Sequence, residues 1–171
     1  MGDNLDSHLR LLRLALDEAK NCTPVPTAFC VGCVLAYRST PESEPVVLST
    51  GYSRELPGNT HAEANALTKF ESLSDSDLSQ LLGSTALSKR GVLAEADVYT
   101  TMEPCSIRTS GLAPCADALI SAKIKRCFIG VDEPDDFVNC EGAQKLKLAG
   151  VEVLWVDGLQ EECLAVARRG H

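Results

Sequence analysis

The second half of the chain alternates short apolar segments with helical ones, and this alternation limits the folds that the sequence can adopt. The predicted elements are strand 96–101, helix 115–122, strand 126–131, helix 142–148, strand 151–156 and helix 160–168. Strands that alternate with helices pair in parallel through right-handed crossover connections. The pattern therefore predicts that the last three strands are parallel, with a helix between the fourth strand and the fifth.

The first half of the chain predicts a helix, two antiparallel strands and a second helix. These elements are helix 5–19, strands 27–37 and 46–52, and helix 62–70, for which Thr60 is the predicted N-cap. The polar segment 72–91 is interpreted as a surface insertion, with one helical turn around 78–82. The whole pattern predicts an α/β fold built on a five-stranded mixed sheet.

Length and charge restrict the partners that the chain can bind. The 171 residues are interpreted as one domain, 1–171, which is long enough to bury a core without disulfide bonds. The 24 acidic and 16 basic residues give a net charge of −8, so no basic surface is expected for nucleic acid. One or two local arginines can still bind a small phosphorylated metabolite.

The eight cysteines bear on the cellular compartment. The chain opens with polar residues and not with a secretory signal, so the cysteines are predicted to be reduced. Cys30, Cys33 and Cys127 lie in apolar runs and are predicted to be small buried side chains. No apolar stretch approaches the length of a membrane span, so no membrane partner is expected. A cytoplasmic location is the expectation, with the nucleus as the alternative.

A His-Ala-Glu triplet followed by two Pro-Cys dipeptides carries the chemistry. His61, Cys105 and Cys115 offer one nitrogen and two sulfur donors, which suit tetrahedral Zn²⁺ with water in the fourth position. Zinc lowers the pKa of bound water toward ~7. Glu63 is too close to His61 to share the metal comfortably, but it can transfer protons, as zinc deaminases require of a glutamate that is not a ligand. The pattern predicts hydrolytic removal of an exocyclic amine, against the alternative that the cysteines are merely buried.

Nine residues separate Cys105 from Cys115, whereas deaminases of nucleic acids and nucleosides usually have a short Pro-Cys-x-x-Cys spacing. A loop of this length is predicted to form a wall of the substrate pocket. It offers Arg108, Thr109 and Ser110 as polar substrate contacts, and Arg54 follows the second strand on the loop that leads to His61. Either arginine is a candidate for phosphate, and each is equally consistent with a solvated surface position.

Several motifs resemble the pyrimidine deaminases of riboflavin biosynthesis, over roughly residues 6–156. They are His61-Ala62-Glu63-Ala64, Thr101-Met102-Glu103-Pro104-Cys105-Ser106, Pro114-Cys115-Ala116-Asp117-Ala118-Leu119 and Leu148-Ala149-Gly150-Val151-Glu152-Val153. The resemblance implies a three-layer α/β/α cytidine deaminase-like sandwich, zinc, and a homodimer. It also implies loss of the 2-amino group from a diaminopyrimidinone that carries a phosphorylated five-carbon chain. Ala62, in the first of these motifs, and Ser53, which follows the second strand, are further candidates for substrate contact.

The sequence departs from the bacterial bifunctional members of that family. There, Pro-Asn-Pro precedes the first strand, a histidine follows the second, and the loop between the cysteines carries His and Lys. Here Phe29 and Cys30 precede Val31-Gly32-Cys33, Ser53 replaces the histidine, and Ile107 lies in the loop. With no reductase domain expected, the chain resembles the fungal type, in which the side chain is reduced before deamination. The predicted substrate is 2,5-diamino-6-ribitylamino-4(3H)-pyrimidinone 5′-phosphate.

Three alternatives remain open at this point. A cytosine, guanine or nucleoside deaminase would share the zinc chemistry, but the long loop disfavours it. A catalytically silent, zinc-stabilised partner protein is disfavoured by the presence of Glu63. An editor of tRNA or single-stranded DNA is disfavoured by the acidic charge and by only four Phe and three Tyr residues for base stacking.

Overall fold

Five strands form one mixed sheet with seven helices around it, in a computed structural model that describes residues 5–85, 87–134 and 140–171. The strands are β1 (Gly32–Tyr37), β2 (Val46–Tyr52), β3 (Ala96–Met102), β4 (Arg126–Val131) and β5 (Glu152–Trp155). The helices are α1 (Leu5–Lys20), α2 (Ala62–Glu71), α3 (Asp75–Leu82), α4 (Lys89–Ala94), α5 (Cys115–Ser121), α6 (Gly142–Leu148) and α7 (Gln160–Ala167). No helix in these ranges combines the length and the apolar character needed to cross a membrane.

The strand order is β2-β1-β3-β4-β5. β1 pairs in an antiparallel manner with both β2 and β3, whereas β3, β4 and β5 are parallel. Because α5 lies between β3 and β4 in the chain and α6 lies between β4 and β5, each parallel pair is joined through a helix. The predicted five-stranded mixed sheet with three parallel strands is confirmed.

Helices cover both faces of the sheet. Successive side chains of a strand point to opposite faces, so the central strands contribute buried side chains to both. In β3, Val98 packs with α2 and α5 on one face, and Tyr99 packs with α1 and α7 on the other. In β4, Cys127 and Ile129 face the first side and Phe128 faces the second. The three-layer α/β/α sandwich implied by the resemblance is therefore confirmed.

The first strand begins later than the sequence predicts. Residues 27–31 are apolar, but they do not pair with a strand, and β1 starts at Gly32. The Cys30 amide donates to Ala167 O at the end of α7, and the Val31 amide donates to Ser53 Oγ. These main-chain groups find partners outside the sheet, so the prediction of a strand from residue 27 was wrong by five residues.

The described part of segment 72–91 contains two helices, where the sequence predicts one helical turn. Ser74 and Asp77 form a reciprocal capping box that starts α3, and Gly83 ends this helix in the left-handed conformation, with φ of 64°. Ser88 then caps α4 by accepting from the Gly91 amide. Most of these residues are exposed, as predicted for a surface segment, but Leu78 of α3 is buried in the core cluster beneath α2 and anchors the segment.

Gly51 sets the distance between β2 and the first turn of α2. A Cβ atom added at Gly51 would lie 2.3 Å from Ala62 O and 2.6 Å from Ala66 N, so no side chain fits without moving α2. We expect Gly51→Ala to lower the free energy of unfolding by about 1–3 kcal/mol, measured by urea titration. Gly91→Ala is the control, because its nearest non-local atom is 3.4 Å away and alanine favours a helix. Equal stability of the two variants would contradict the close approach.

Candidate metal centre and active-site cavity

Three metal-binding side chains converge between α2, α5 and the loop after β3. His61 is the N-cap residue of α2, Cys115 is the first residue of α5, and Cys105 lies in the loop. His61 Nδ1 is 3.5 Å from Cys105 Sγ and 3.4 Å from Cys115 Sγ, and the three donor atoms lie within 4.8 Å of one another. Tetrahedral zinc with ordinary Zn–S and Zn–N bond lengths places nitrogen and sulfur about 3.6 Å apart. The predicted donor set therefore fits zinc in both chemistry and spacing.

His61, and not Thr60, occupies the N-cap position of α2. Thr60, the predicted N-cap, instead donates its hydroxyl proton to Leu56 O, and the helix begins at Ala62, as predicted, with His61 as its N-cap residue. Asn65 donates to Tyr52 O and to Thr60 Oγ1, which ties the preceding loop to α2. The N-cap prediction was wrong, because Thr60 stabilises its own loop and His61 takes the cap position without a side-chain cap bond.

A hydrogen bond joins the two cysteine side chains. A hydrogen bond from the Cys115 thiol lowers the pKa of Cys105 to about 4, and His61 adds to this shift. The same hydrogen bond, together with burial, raises the pKa of Cys115. The Cys115 amide also donates to Cys105 Sγ at 3.3 Å. These contacts favour the thiolate form of Cys105, the form in which cysteine binds a metal ion.

Glu63 lies in the first turn of α2, beside the metal-binding side chains. Its side chain is 3% exposed, and burial raises the pKa of its carboxyl group, with a smaller contribution from Cys105. Thr100 Oγ1 is 3.0 Å from Glu63 Oε1 and 2.9 Å from Met102 O. A hydroxyl group has one proton, so when it donates to Met102 O it can accept from protonated Glu63. This environment lets Glu63 hold and release a proton.

A cavity of about 380 Å³ opens beside these groups. His61, Glu63 and Cys105 line it, and so do five of the six residues predicted to contact substrate: Ser53, Arg54, Arg108, Thr109 and Ser110. Ala62, the sixth, has its side chain in the core cluster beneath α2. The loop between the cysteines forms one wall, as its length predicts. The volume is within the range of small-molecule sites.

Arg54 ties the loop after β2 to the segment that precedes β1. It adopts a left-handed conformation, with φ of 62°. Its guanidinium group donates to Phe29 O at 3.2 Å, to Thr23 O at 3.1 Å and to Cys22 Sγ at 2.8 Å. Most of its donors are therefore used within the protein, so Arg54 is not a freely solvated surface residue.

Arg108 joins the loop between the cysteines to the loop that precedes α2. Its guanidinium group donates to Asn59 O and, at 3.5 Å, to Ala113 O. Its Nε atom is buried and has no hydrogen-bond partner. Thr109 and Ser110 next to it are exposed at the edge of the cavity. This edge retains donors that a ligand can use.

The sequence analysis missed several polar residues of the cavity region. Thr100 could have been found, because period-two alternation in β3 places it on the same face as Val98, toward α2. Glu133 follows the carboxyl end of β4, the edge at which ligands bind to parallel sheets. Glu103 also lines the cavity, and its carboxylate accepts from the Ala143 amide in α6.

The arrangement defines a class, the zinc-dependent deaminases with a cytidine deaminase-like fold. The family model for the cytidine and deoxycytidylate deaminase zinc-binding region matches residues 5–131, and the chain belongs to this family. The diaminohydroxyphosphoribosylamino-pyrimidine deaminase of Schizosaccharomyces pombe is 41% identical over 165 residues, which cover 96% of this chain and 36% of that protein. RibD of Actinobacillus pleuropneumoniae is 35% identical, and the match covers 95% of this chain and 35% of RibD. The chain thus spans about a third of the length of these curated relatives.

The fold of the chain is also similar to that of a solved deaminase structure. The crystal structure of Aspergillus oryzae Rib2 deaminase in complex with DARIPP, a C-terminal deletion mutant, superposes with a TM-score of 0.79 at 34% identity. The match covers 96% of this chain and 92% of that one. The resemblance to the deaminases of riboflavin biosynthesis is therefore confirmed, and zinc is the metal of this family.

Proposed function

We propose that the chain removes the 2-amino group of 2,5-diamino-6-ribitylamino-4(3H)-pyrimidinone 5′-phosphate by hydrolysis. The observation that carries this proposal is the group formed by His61, Cys105 and Cys115, two of which, His61 and Cys105, line one cavity together with Glu63. The names of the relatives and the DARIPP complex of the Aspergillus deaminase support a phosphorylated pyrimidine as the substrate. The wall made by the long loop between the cysteines favours this substrate over a nucleoside.

In the proposed mechanism each side chain has one task. His61, Cys105 and Cys115 would hold Zn²⁺, which would supply a Lewis acid that makes water acidic enough to ionise near neutral pH. Glu63 would take a proton from the attacking water and give it to a ring nitrogen, and would then move the proton of the added hydroxyl group to the leaving amine. Water adds at C2 and ammonia leaves, so the 2-amino group is replaced by oxygen. Thr100 orients the Glu63 carboxyl group through its hydroxyl.

The substrate assignment is tested by ammonia release from three compounds. We expect rapid release from the ribitylamino substrate, and much slower release from its ribosyl precursor and from cytidine. The physical reason is that a site built around one ring and its side chain leaves polar groups unpaired when another ligand binds. Comparable values of kcat/KM for cytidine would favour a nucleoside deaminase. No release from any of the three would favour the silent partner protein.

We propose that Arg108, Thr109 and Ser110 bind the substrate phosphate at the edge of the cavity. Arg108 makes two main-chain hydrogen bonds, which fix its guanidinium group without using all five of its N–H donors. Thr109 and Ser110 add exposed hydroxyl groups. Arg54 is the weaker candidate, because its guanidinium group already donates to Thr23 O and Phe29 O in the segment before β1, while its buried Nε atom, like that of Arg108, has no hydrogen-bond partner.

We expect Arg108→Ala to raise KM for the phosphorylated substrate by about 10-fold or more, because a guanidinium–phosphate pair contributes a few kcal/mol when it is partly shielded from water. For the dephosphorylated compound, KM should change by less than about threefold. Steady-state kinetics on both compounds measures the difference. Arg54→Ala is the matched comparison, for which a lower melting temperature is expected instead. Equal effects of Arg108→Ala on both compounds would place the phosphate elsewhere.

The remaining expectations concern assembly and location. We propose a single deaminase domain that forms a homodimer, as the resemblance implies, and a cytoplasmic location. Light scattering coupled to gel filtration measures the mass of the assembly. A monomer at micromolar concentration would contradict the dimer.

A further inference from the structure

Cys105 lies in a loop that contacts α5 and α6. On the side of α5, the Ala116 amide donates to Cys105 O at 3.1 Å, and the Cys115 amide donates to Cys105 Sγ at 3.3 Å. These bonds fix Cys105 relative to Cys115. Glu103 and Pro104, which join β3 to Cys105, instead contact the start of α6.

Two side chains of the loop accept hydrogen bonds from the first amides of α6. The carboxylate of Glu103 accepts from the Ala143 amide at 2.9 Å, and the Ser106 hydroxyl accepts from the Glu141 amide at 3.1 Å. The first amides of a helix have no carbonyl partner within it, and a carboxylate is favourable at this end of the helix dipole. Because Cys105 lies between Glu103 and Ser106 in sequence, α6 holds the loop on both sides of this cysteine.

The packing between α6 and the loop is close. A Cβ atom added at Gly142 would lie 1.6 Å from Pro104 O, so α6 rests on the main chain one residue before Cys105. The Cys140 thiol also donates to Pro104 O, at 3.4 Å. Such a contact leaves little room for movement of the loop. The positions of α6 and Cys105 are therefore coupled.

We propose that Glu103 and Ser106 are positioning residues of the metal centre, which hold Cys105 at the distance from His61 and Cys115 that zinc requires. His61 Nδ1 is 3.5 Å from Cys105 Sγ, and zinc bond lengths tolerate little displacement of a ligand. Residues that orient a ligand from outside the coordination shell contribute to metal affinity. This inference rests on the proposed function only in taking Cys105 as a metal ligand.

The test measures Zn²⁺ affinity by competition with a chromophoric chelator, after the bound metal has been removed. We expect Glu103→Leu to lower the affinity by about 10-fold or more, as is typical when the support of a metal ligand is lost. Glu103→Gln keeps an oxygen that can accept from the Ala143 amide, so its affinity should stay within about threefold of wild type. Ser106→Ala should weaken binding in the same direction as Glu103→Leu.

Glu141→Gln is the matched control. It removes one negative charge from the start of the same helix, but its side chain is exposed and its main-chain bond to Ser106 remains. Its zinc affinity should stay within about twofold of wild type, as for most surface substitutions. The comparison of Glu103→Gln with Glu103→Leu separates the hydrogen bond of Glu103 from its charge.

Cobalt(II) in place of zinc gives a readout of ligand geometry. Its visible absorption depends on how sulfur and nitrogen ligands are arranged around the ion. We expect the bands of the cobalt-loaded protein to shift or weaken in Glu103→Leu. They should be unchanged in Glu141→Gln. A residue that only stabilised the fold would lower the melting temperature of the metal-free protein without changing these bands.

Three results would overturn the inference. One is wild-type zinc affinity in Glu103→Leu, whether its metal-free melting temperature falls or its KM for substrate rises. Another is an equal loss of affinity in Glu103→Leu and Glu103→Gln, which would assign the effect to charge. If Glu103→Leu does not fold, Ser106→Ala carries the test, and wild-type affinity in that variant is the third.

The zinc titrations are independent of the substrate. If wild-type protein binds zinc tightly but releases no ammonia from the ribitylamino compound, the proposed function fails, and the titrations still decide the roles of Glu103 and Ser106. If wild-type protein binds no zinc, Cys105 is not a metal ligand, and the inference fails as well.

Discussion

The Glu63→Gln variant is expected to lose about 10²- to 10⁴-fold in kcat while it retains its metal and binds substrate with near-normal affinity. The glutamine amide matches the shape of the carboxyl group and can still hydrogen-bond to Thr100 Oγ1, so the first turn of α2 should keep its structure. The amide cannot take a proton from water or deliver one to the leaving amine. The loss should therefore appear in the chemical step, which single-turnover measurements of ammonia release isolate.

The control for this variant is Glu71→Gln, which removes the same charge from the exposed end of the same helix. It should keep kcat within about twofold, because surface substitutions usually have small effects. Zinc content, measured by elemental analysis, should be equal in the wild type and both variants. Near-normal turnover of Glu63→Gln, or loss of its zinc, would show that Glu63 is not a proton shuttle separate from the ligands.

The parallel half of the sheet could be predicted because its signals are local. The apolar runs of β3 and β4 are bounded by helical segments, and the right-handed crossover rule then leaves few ways to connect them. The convergence of His61, Cys105 and Cys115 followed from the motif, since both helix starts could be placed from sequence. A motif with one histidine and two cysteines is informative because few chemical roles other than metal binding require that combination of donors.

The errors of the sequence analysis lie where contacts distant in sequence decide the local structure. Residues 27–31 have strand-like composition, but the Cys30 amide donates to the end of α7 and the Val31 amide donates to Ser53. The spacing of apolar residues along the sequence does not reveal such contacts. Thr60 is of a residue type that is common at N-caps, yet its hydroxyl donates to Leu56 O within the preceding loop. By contrast, the capping box of Ser74 and Asp77 is a local signal, so α3 could have been recognised.

The polar lining of the cavity was the least predictable part of the site. Arg108 could be named from sequence as a polar side chain in a long loop, but its contact with Asn59 joins residues 49 positions apart. Glu133 carries no sequence signal beyond its place after a predicted strand, and its unpaired oxygen appears only when the fold surrounds it. Contacts of this kind form only in the folded chain, which is why the lining of the cavity was harder to predict than the metal-binding residues.

Replacement of either cysteine should remove the metal. We expect Cys105→Ser and Cys115→Ser to fall from about one zinc per chain to less than about a tenth, and to lose activity with it. A serine hydroxyl stays protonated near neutral pH and is a poor ligand, whereas the hydrogen bond from Cys115 lowers the pKa of Cys105 to about 4 and so favours the thiolate that binds zinc. Elemental analysis of protein purified without chelator measures the change.

Two controls separate loss of metal from loss of a buried thiol. Cys163→Ser removes a buried cysteine on the opposite face of the sheet and should keep both zinc and activity. Wild-type protein treated with a chelator should have the same melting temperature as the two metal-site variants. All three would lack the metal ion that joins α2, α5 and the loop after β3. Full zinc content in Cys105→Ser or Cys115→Ser would mean that other residues hold the metal, and the assignment of both cysteines as ligands would then be wrong.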